Sequence, residues 1–242
     1  MRALKRTDHK MITAEICEIF VSLQGEGLYC GQKQVFIRFA GCNLDCVYCD
    51  EPASMSLKRS QAPFSIASAC AEVLRLAHKN LARAVSFTGG EPLLNWEFIK
   101  AMGPALKQAG LAVHLETNGT LYRELAGLKG LADVIAMDLK LPSSTGGKAY
   151  WTEHAKFLAV APKKTFLKLV VTAGTSAAEF KKAVDMVSKV SPAVPFFIQP
   201  ASPVRGVRPP SRAALDSFYR LAALRLEVVR ILPQLHKLWG IK

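Results

Sequence analysis

Apolar residues fall along the chain in two alternating rhythms. Short runs rich in β-branched and aromatic residues predict strands at 14–20, 34–39, 84–87, 111–115, 133–137, 166–171, 195–199 and 226–231. Between most of them apolar positions recur every three or four residues, as along one face of a helix. The spacing predicts a helix over 65–79, opened by Ser65 as N-cap, with Ile66, Ala69, Cys70, Val73, Leu74 and Ala77 facing inward. A second helix, over 95–109, stops before Gly110. Two more, over 176–190 and 211–224, align Phe180, Ala183, Val184 and Val187, then Leu215, Phe218, Tyr219 and Ala222. Strand–helix–strand alternation implies parallel strands covered by helices, and unbroken apolar runs suit strands buried on both sides. No repeat or linker interrupts the pattern. A single α/β domain is expected over 13–242, behind a loose basic tail over 1–12 in which Met11 is an alternative start.

Polar and glycine-rich elements recur where the strands end. Thr88-Gly89-Gly90-Glu91-Pro92 follows one strand, Glu116-Thr117-Asn118-Gly119 the next and Asp138-Leu139-Lys140 the one after, and Gln199-Pro200 closes another. Asn-Gly and Gly-Gly form turns in any protein. Four such elements at the carboxyl ends of successive strands instead mark the edge where α/β proteins bind ligands.

Composition narrows the class. Half of the 242 residues are apolar and 21% are charged, which excludes a disordered chain. No apolar run reaches the roughly 18 residues of a membrane span. The basic, polar start lacks the apolar core of a signal peptide, so a cytoplasmic location is expected. Lysine and arginine outnumber acids 32 to 19, a net charge of +13 spread along the chain. That balance admits nucleic acid, an anionic small molecule or an acidic protein as partner. No basic run interleaved with aromatics argues for nucleic acid.

The six cysteines say more. Cys17, Cys30 and Cys70 are dispersed, whereas Cys42, Cys46 and Cys49 cluster in GCNLDCVYCDE. In a reducing compartment a tight group reads as metal or redox chemistry before disulfides. No histidine in the loop completes a zinc set, and Cys30 is the only plausible spare thiolate. A four-iron four-sulfur cluster takes one cysteine per iron, so three cysteines leave one iron open to a small molecule.

Cys42-x3-Cys46-x2-Cys49, with Tyr48 before the third cysteine, resembles the cluster motif of radical S-adenosylmethionine enzymes, and Gly-Gly-Glu-Pro at 89–92 resembles their second signature. In that superfamily the cofactor's amino and carboxyl groups chelate the open iron. Glycines there admit close backbone approach, and Glu91 offers an anion to the cofactor's ammonium. The loop Ser22-Leu23-Gln24-Gly25-Glu26-Gly27, the segment Phe36-Ile37-Arg38-Phe39-Ala40-Gly41-Cys42, Glu116–Thr120, Leu141–Ser144 and the tail Gln234-Leu235-His236-Lys237 resemble the 7-carboxy-7-deazaguanine synthase family. The resemblance runs from Thr13 to Lys242. It implies an incomplete parallel (β/α) barrel, a homodimer, and a lyase that converts 6-carboxy-5,6,7,8-tetrahydropterin to 7-carboxy-7-deazaguanine with loss of ammonia, toward queuosine or archaeosine. A 5′-deoxyadenosyl radical would abstract hydrogen from the substrate and later receive it back.

The resemblance also implies site roles. Cys42, Cys46 and Cys49 would hold the 4Fe-4S cluster. Tyr48, Cys49, Asp50, Gly90, Asp138, Leu139, Lys140 and Gln199 would bind S-adenosylmethionine. Leu23, Gln24, Gly25, Arg38, Thr88 and the terminal Lys242 would bind the carboxypterin, with Arg38 offering its guanidinium fork to a carboxylate. Glu26 and Glu116 are further possible polar contacts. Two positions depart from the family pattern. Asp138-Leu139 stand where Ser-Pro is usual before the lysine. Glu51 stands where a threonine or serine oxygen usually meets Mg²⁺, a role a carboxylate can also fill. A flavodoxin-like acidic electron donor would suit the basic surface. The competing readings are a glycyl-radical-enzyme activase, against which the 22–27 loop and the tail speak, and a zinc or nucleic-acid module, favoured by charge alone.

Overall fold

A computed structural model describes residues 12–56 and 63–241. Apart from Ile12, the expected basic tail lies outside these residues, as does Lys242.

The chain runs β1 (Thr13–Ala14), β2 (Ile16–Leu23), β3 (Lys33–Phe39), β4 (Phe64–Ser65), α1 (Ile66–Asn80), β5 (Ala84–Gly89), α2 (Trp96–Gln108), β6 (Ala112–Thr117), α3 (Tyr122–Leu128), β7 (Val134–Asp138), α4 (Pro142–Thr145), α5 (Trp151–Val160), β8 (Thr165–Val171), α6 (Ala177–Val190), β9 (Phe196–Pro200), α7 (Arg212–Ala223), β10 (Val229–Ile231) and α8 (Leu235–Trp239). Eight strands form one sheet in the order β10-β9-β8-β7-β6-β5-β3-β2. From β3 to β10 every pairing is parallel. β2 departs from the expected parallel series: it pairs antiparallel with β3. The connection 24–32 carries only one 3-10 turn, too little for the crossover of a dozen or more residues that parallel pairing needs.

Helix boundaries follow local chemistry. Ser65 Oγ accepts from the Ser68 amide at 3.1 Å, capping α1 as its position foretells. Ser176 and Ser211 cap α6 and α7 in the same way. Helices α3 and α5 escape sequence reading because neither has a side-chain cap and both are short.

Alternation along the strands separates two layers. Val35, Ile37, Phe39, Val85, Phe87, Val113, Leu115, Ile135, Met137, Leu167, Leu169, Phe196 and Ile198 point outward into the main core under the helices. The alternate positions point inward. Ala136, Phe166 and Phe197 form a small apolar floor closed by Tyr29. Above that floor the inward positions turn polar or charged, and this change in the inner row creates the site.

Candidate active site

A cavity of about 420 Å³ opens at the carboxyl ends of the strands. The three thiols, the β2–β3 loop and the C-terminal segment all line it. Of the expected site residues, Leu23, Gln24, Gly25, Arg38, Tyr48, Asp50, Glu51, Thr88, Gly90, Asp138, Lys140 and Gln199 line it as well. Leu139 does not. Strand parity turns Asp138 and Lys140 inward and sends the Leu139 side chain, fully buried, into the outer core. Its backbone amide is held by the Lys168 carbonyl at 2.8 Å. Lys242 lies outside the described residues.

The cysteine loop is clamped from beneath by the glycine-rich turn. The Glu91 amide donates to the Gly41 carbonyl at 2.8 Å and the Gly90 amide to Phe39 at 3.1 Å. A Cβ on Gly90 would fall 2.0 Å from the Gly41 oxygen, so only glycine permits the contact. Glu91 has a different part from the one expected. It is fully buried and accepts from the Leu93 amide, the Thr117 hydroxyl and the Asn118 amide, which ties β5 to β6 rather than offering a free anion. Burial pushes its carboxyl up to about 7. Asn118 completes the clamp, donating to Asn43 Oδ1 in the cysteine loop at 2.8 Å.

The thiols themselves are apart. Among the described residues no three sulfurs lie within 4.8 Å of one another. A single tetrahedral zinc at 2.3 Å would need sulfurs roughly 4 Å apart, closer than these three all lie. Burial pushes Cys42 up to about 11 and raises Cys46 and Cys49, so ligand formation must displace protons. Beside them Lys140 bonds Asp138 at 2.8 Å and lies 5.0 Å over the Tyr48 ring. Burial disfavours its charge, but Asp138 outweighs that and holds it protonated. The Tyr48 hydroxyl and Asp138 Oδ1 are buried with no hydrogen-bond partner among the described residues, as groups facing a bound cofactor would be.

Across the cavity stands a second polar group. Glu116 accepts from Gln24 at 2.6 Å, from Thr88 at 2.8 Å and from Ser86 at 3.4 Å. Arg38 donates from Nε to Glu18 at 2.9 Å, packs 5.3 Å from the Phe20 ring centre and reaches Glu51 at 3.9 Å.

Glu26 is bonded by Lys168, Gln199 and Gln234. Burial alone would raise its carboxyl; the Lys168 ammonium overrides this and holds it at about 2. Gln234 also donates to Asp50 at 2.8 Å, and the Leu235 amide to Gly25 at 2.9 Å, so the C-terminal segment is latched over the loop. Lys168 and Gln234 were not foreseen as site residues. The signal for Lys168 is a lone lysine within the apolar run FLKLVV, at an inward position. Glu26, Asp50 and His236 bring ligand atoms within 4.8 Å, but Glu26 is already engaged by three donors and Lys237 lies 3.4 Å from Asp50, so this is a latch rather than a cation site.

Residues 36–195 match the family model of the radical SAM superfamily. The chain is 35% identical to a 7-carboxy-7-deazaguanine synthase of Geobacter sulfurreducens, over 94% of this chain and 97% of that protein. It belongs to the 7-carboxy-7-deazaguanine synthase family. A family member from Methanopyrus kandleri is 33% identical, with 92% of each chain covered. The solved structure of QueE from Escherichia coli shares the fold, with a TM-score of 0.59, 19% identity, and 90% and 93% of the two chains covered. Membership brings the iron–sulfur cluster and S-adenosylmethionine, and the three thiols and the orphaned polar atoms beside them fit both groups. The incomplete barrel expected from sequence is this eight-stranded sheet, open between its edge strands β10 and β2, of which β2 is antiparallel. No helix among the described residues is long and apolar enough to cross a membrane.

Proposed function

We propose that this enzyme converts 6-carboxy-5,6,7,8-tetrahydropterin to 7-carboxy-7-deazaguanine with release of ammonia. One observation carries the reading: a single cavity joins the three-thiol loop to a facing set of donors and acceptors suited to a carboxylated pterin. When bound, the cluster and cofactor would supply the radical chemistry that the side chains cannot.

The chain's residues position and shield. Cys42, Cys46 and Cys49 hold the cluster. Tyr48, Asp50, Gly90, Asp138, Lys140 and Gln199 flank the cofactor, with Lys140 suited to an anionic group and the Leu139 contribution restricted to its backbone. Glu116, already oriented by Gln24 and Thr88, accepts hydrogen bonds from the donor edge of the pterin ring. Leu23 and Gly25 border the same ring, and Arg38 addresses the substrate carboxylate. Lys242 keeps its proposed part in substrate binding, and Ile241 before it lines the cavity. The C-terminal latch excludes water from the radical chemistry.

Glu51 is the candidate Mg²⁺ ligand, and Arg38 competes with the metal for it at 3.9 Å. Clustered thiols suit a reducing compartment, which supports a cytoplasmic enzyme; the homodimer rests on the family resemblance and the flavodoxin-like electron donor on the basic surface. The test is anaerobic: reconstituted protein, dithionite, S-adenosylmethionine, Mg²⁺ and the carboxypterin, with products read by mass spectrometry. Formation of 7-carboxy-7-deazaguanine supports the reading. Formation of 5′-deoxyadenosine alone removes the substrate assignment.

A further inference from the structure

Strand β2 changes face partway along its length. In its pairing with β3, Ile16 stands opposite Phe39 and Glu18 opposite Arg38, so Cys17 is the extra residue of a β-bulge. Ile16 lies in the main core under the helices, and Ile19 and Val21 pack against the same core. Strict alternation would put Glu18 on the face of Ile16; the bulge instead turns it, with Phe20, into the cavity. Bulges re-aim side chains in this way beside active sites. The residue so delivered meets Arg38. Glu18 Oε1 accepts from Arg38 Nε at 2.9 Å, and both side chains are half-buried. The Phe20 ring supports one face of the guanidinium, whose Cζ lies 5.3 Å from the ring centre, and is itself stacked on Phe36 at 5.3 Å. The guanidinium is thus held at one nitrogen and one face. Its terminal nitrogens remain, with Nη1 3.9 Å from Glu51, beyond hydrogen-bond reach.

An arginine grips a carboxylate through two parallel N–H donors, side-on with Nε and one terminal nitrogen or end-on with both terminal nitrogens. With Nε occupied by Glu18, the side-on edge is taken and the end-on edge is left. We propose that Glu18, carried inward by the bulge at Cys17, is a positioning residue for Arg38. It presents the end-on fork to the substrate carboxylate and so sets the preference for a carboxylated over an uncarboxylated pterin. This rests on the reading that Arg38 addresses that carboxylate. Both substrate and product of the proposed reaction carry the carboxyl group, so the contact is kept throughout and its loss falls on KM.

The experiment measures binding of 6-carboxy-5,6,7,8-tetrahydropterin and of 5,6,7,8-tetrahydropterin to anaerobically reconstituted protein, by equilibrium dialysis with Mg²⁺ present. Steady-state kinetics on the carboxylated pterin accompany it. Glu18→Ala is expected to bind the carboxylated pterin about tenfold more weakly and the uncarboxylated one within about twofold of wild type, since a displaced fork loses its aim without disturbing the ring. KM rises by about the same factor while kcat falls less than about threefold. Glu18→Gln keeps an acceptor for Nε and is expected to stay within about threefold of wild type. Glu18→Ala on an Arg38→Ala background is expected to add less than about twofold, because the acid acts only through the arginine. An unchanged ratio of the two affinities in Glu18→Ala overturns the proposal. So does an equal loss of both pterins, the mark of a merely structural role, or a full further loss in the double variant. A wild type without the preference, or one whose preference survives Arg38→Ala, removes the Arg38 reading and the proposal with it. A preference lost in Arg38→Ala but kept in Glu18→Ala overturns the proposal alone. If circular dichroism shows Glu18→Ala unfolded, Glu18→Thr, a strand former too short to reach Nε, takes its place with the same outcomes.

Discussion

Gln24 donates from Nε2 to Oε1 of Glu116 across 2.6 Å, joining the β2–β3 loop to the inner row of β6 over 92 residues of sequence. With Thr88 on the second oxygen, the carboxylate is aimed before any ligand arrives.

Glu116→Gln places an amide NH₂ against donors that expect an acceptor. A hydrogen bond to a charged group contributes about 1.5–3 kcal/mol, so kcat/KM is expected to fall about 10- to 100-fold. Gln24→Ala should show part of the same loss. Steady-state kinetics with the carboxypterin checks both; unchanged kcat/KM in Glu116→Gln would remove Glu116 from the site.

Gly25 stands so close to the latch that a Cβ would lie 2.4 Å from His236 Nδ1 and 2.7 Å from its backbone nitrogen. Gly25→Ala is therefore expected to displace the C-terminal segment and to cost about 1–3 kcal/mol. Thermal denaturation reads the loss, and faster amide exchange at 234–239 locates it. Exchange confined to other segments would contradict the latch.

Glu26 and Lys168 form a buried pair, and removing one partner leaves a charge without compensation. Glu26→Gln is expected to destabilise by about 3–5 kcal/mol at neutral pH. The sign of the pH dependence follows from the depressed carboxyl. Its folded value of about 2 lies below the ordinary 4.5, so the pair contributes fully above about pH 4.5 and loses its contribution as pH falls toward 2. The stability gap between wild type and Glu26→Gln should therefore close over that window. Denaturant melts at several pH values test it; a gap constant with pH would refute the assignment.

Single Cys42→Ala, Cys46→Ala and Cys49→Ala variants are expected to keep far-ultraviolet circular dichroism, to lose the iron charge-transfer absorbance after reconstitution and to be inactive. Their packing contributes to the fold through small side chains near the surface of the cavity, so the fold survives. A variant that retained full iron content would show that its cysteine is not a ligand.

Removal of Mg²⁺ by a chelator is expected to lower turnover of the wild type. Glu51→Thr restores the hydroxyl usual in the family and should retain the metal response, whereas Glu51→Ala should lose it. An identical response in all three proteins would detach Mg²⁺ from position 51.

Much of this architecture is legible in the sequence because it is written in local periodicity. Ser65, Ser176 and Ser211 announce three helices by capping, and the parallel core strands appear as apolar runs of the right length. The cysteine spacing and Gly89-Gly90 were recognisable from residue type, and the Gln24 loop from its resemblance to the family. Short-range signals fail where the fold is decided by neighbours. Helices α3 and α5 carry no cap and form because they cover the sheet. The role of Glu91 is also hidden: as a residue it is an anion on a turn, but its three donors come from positions 93, 117 and 118.

What the sequence by itself determined is the set of chemical groups, their order, and the two-residue parity that sends Asp138 and Lys140 to one face. The tertiary structure decided which of them meet. It decided which of the two faces borders the cavity, paired Glu26 with Lys168 across 142 positions, and folded Gln234 back onto Asp50. The division has a physical origin. Periodicity and capping act over a few residues of one chain segment, whereas hydrogen bonds and ion pairs in the cavity depend on the curvature of the sheet that brings distant segments together.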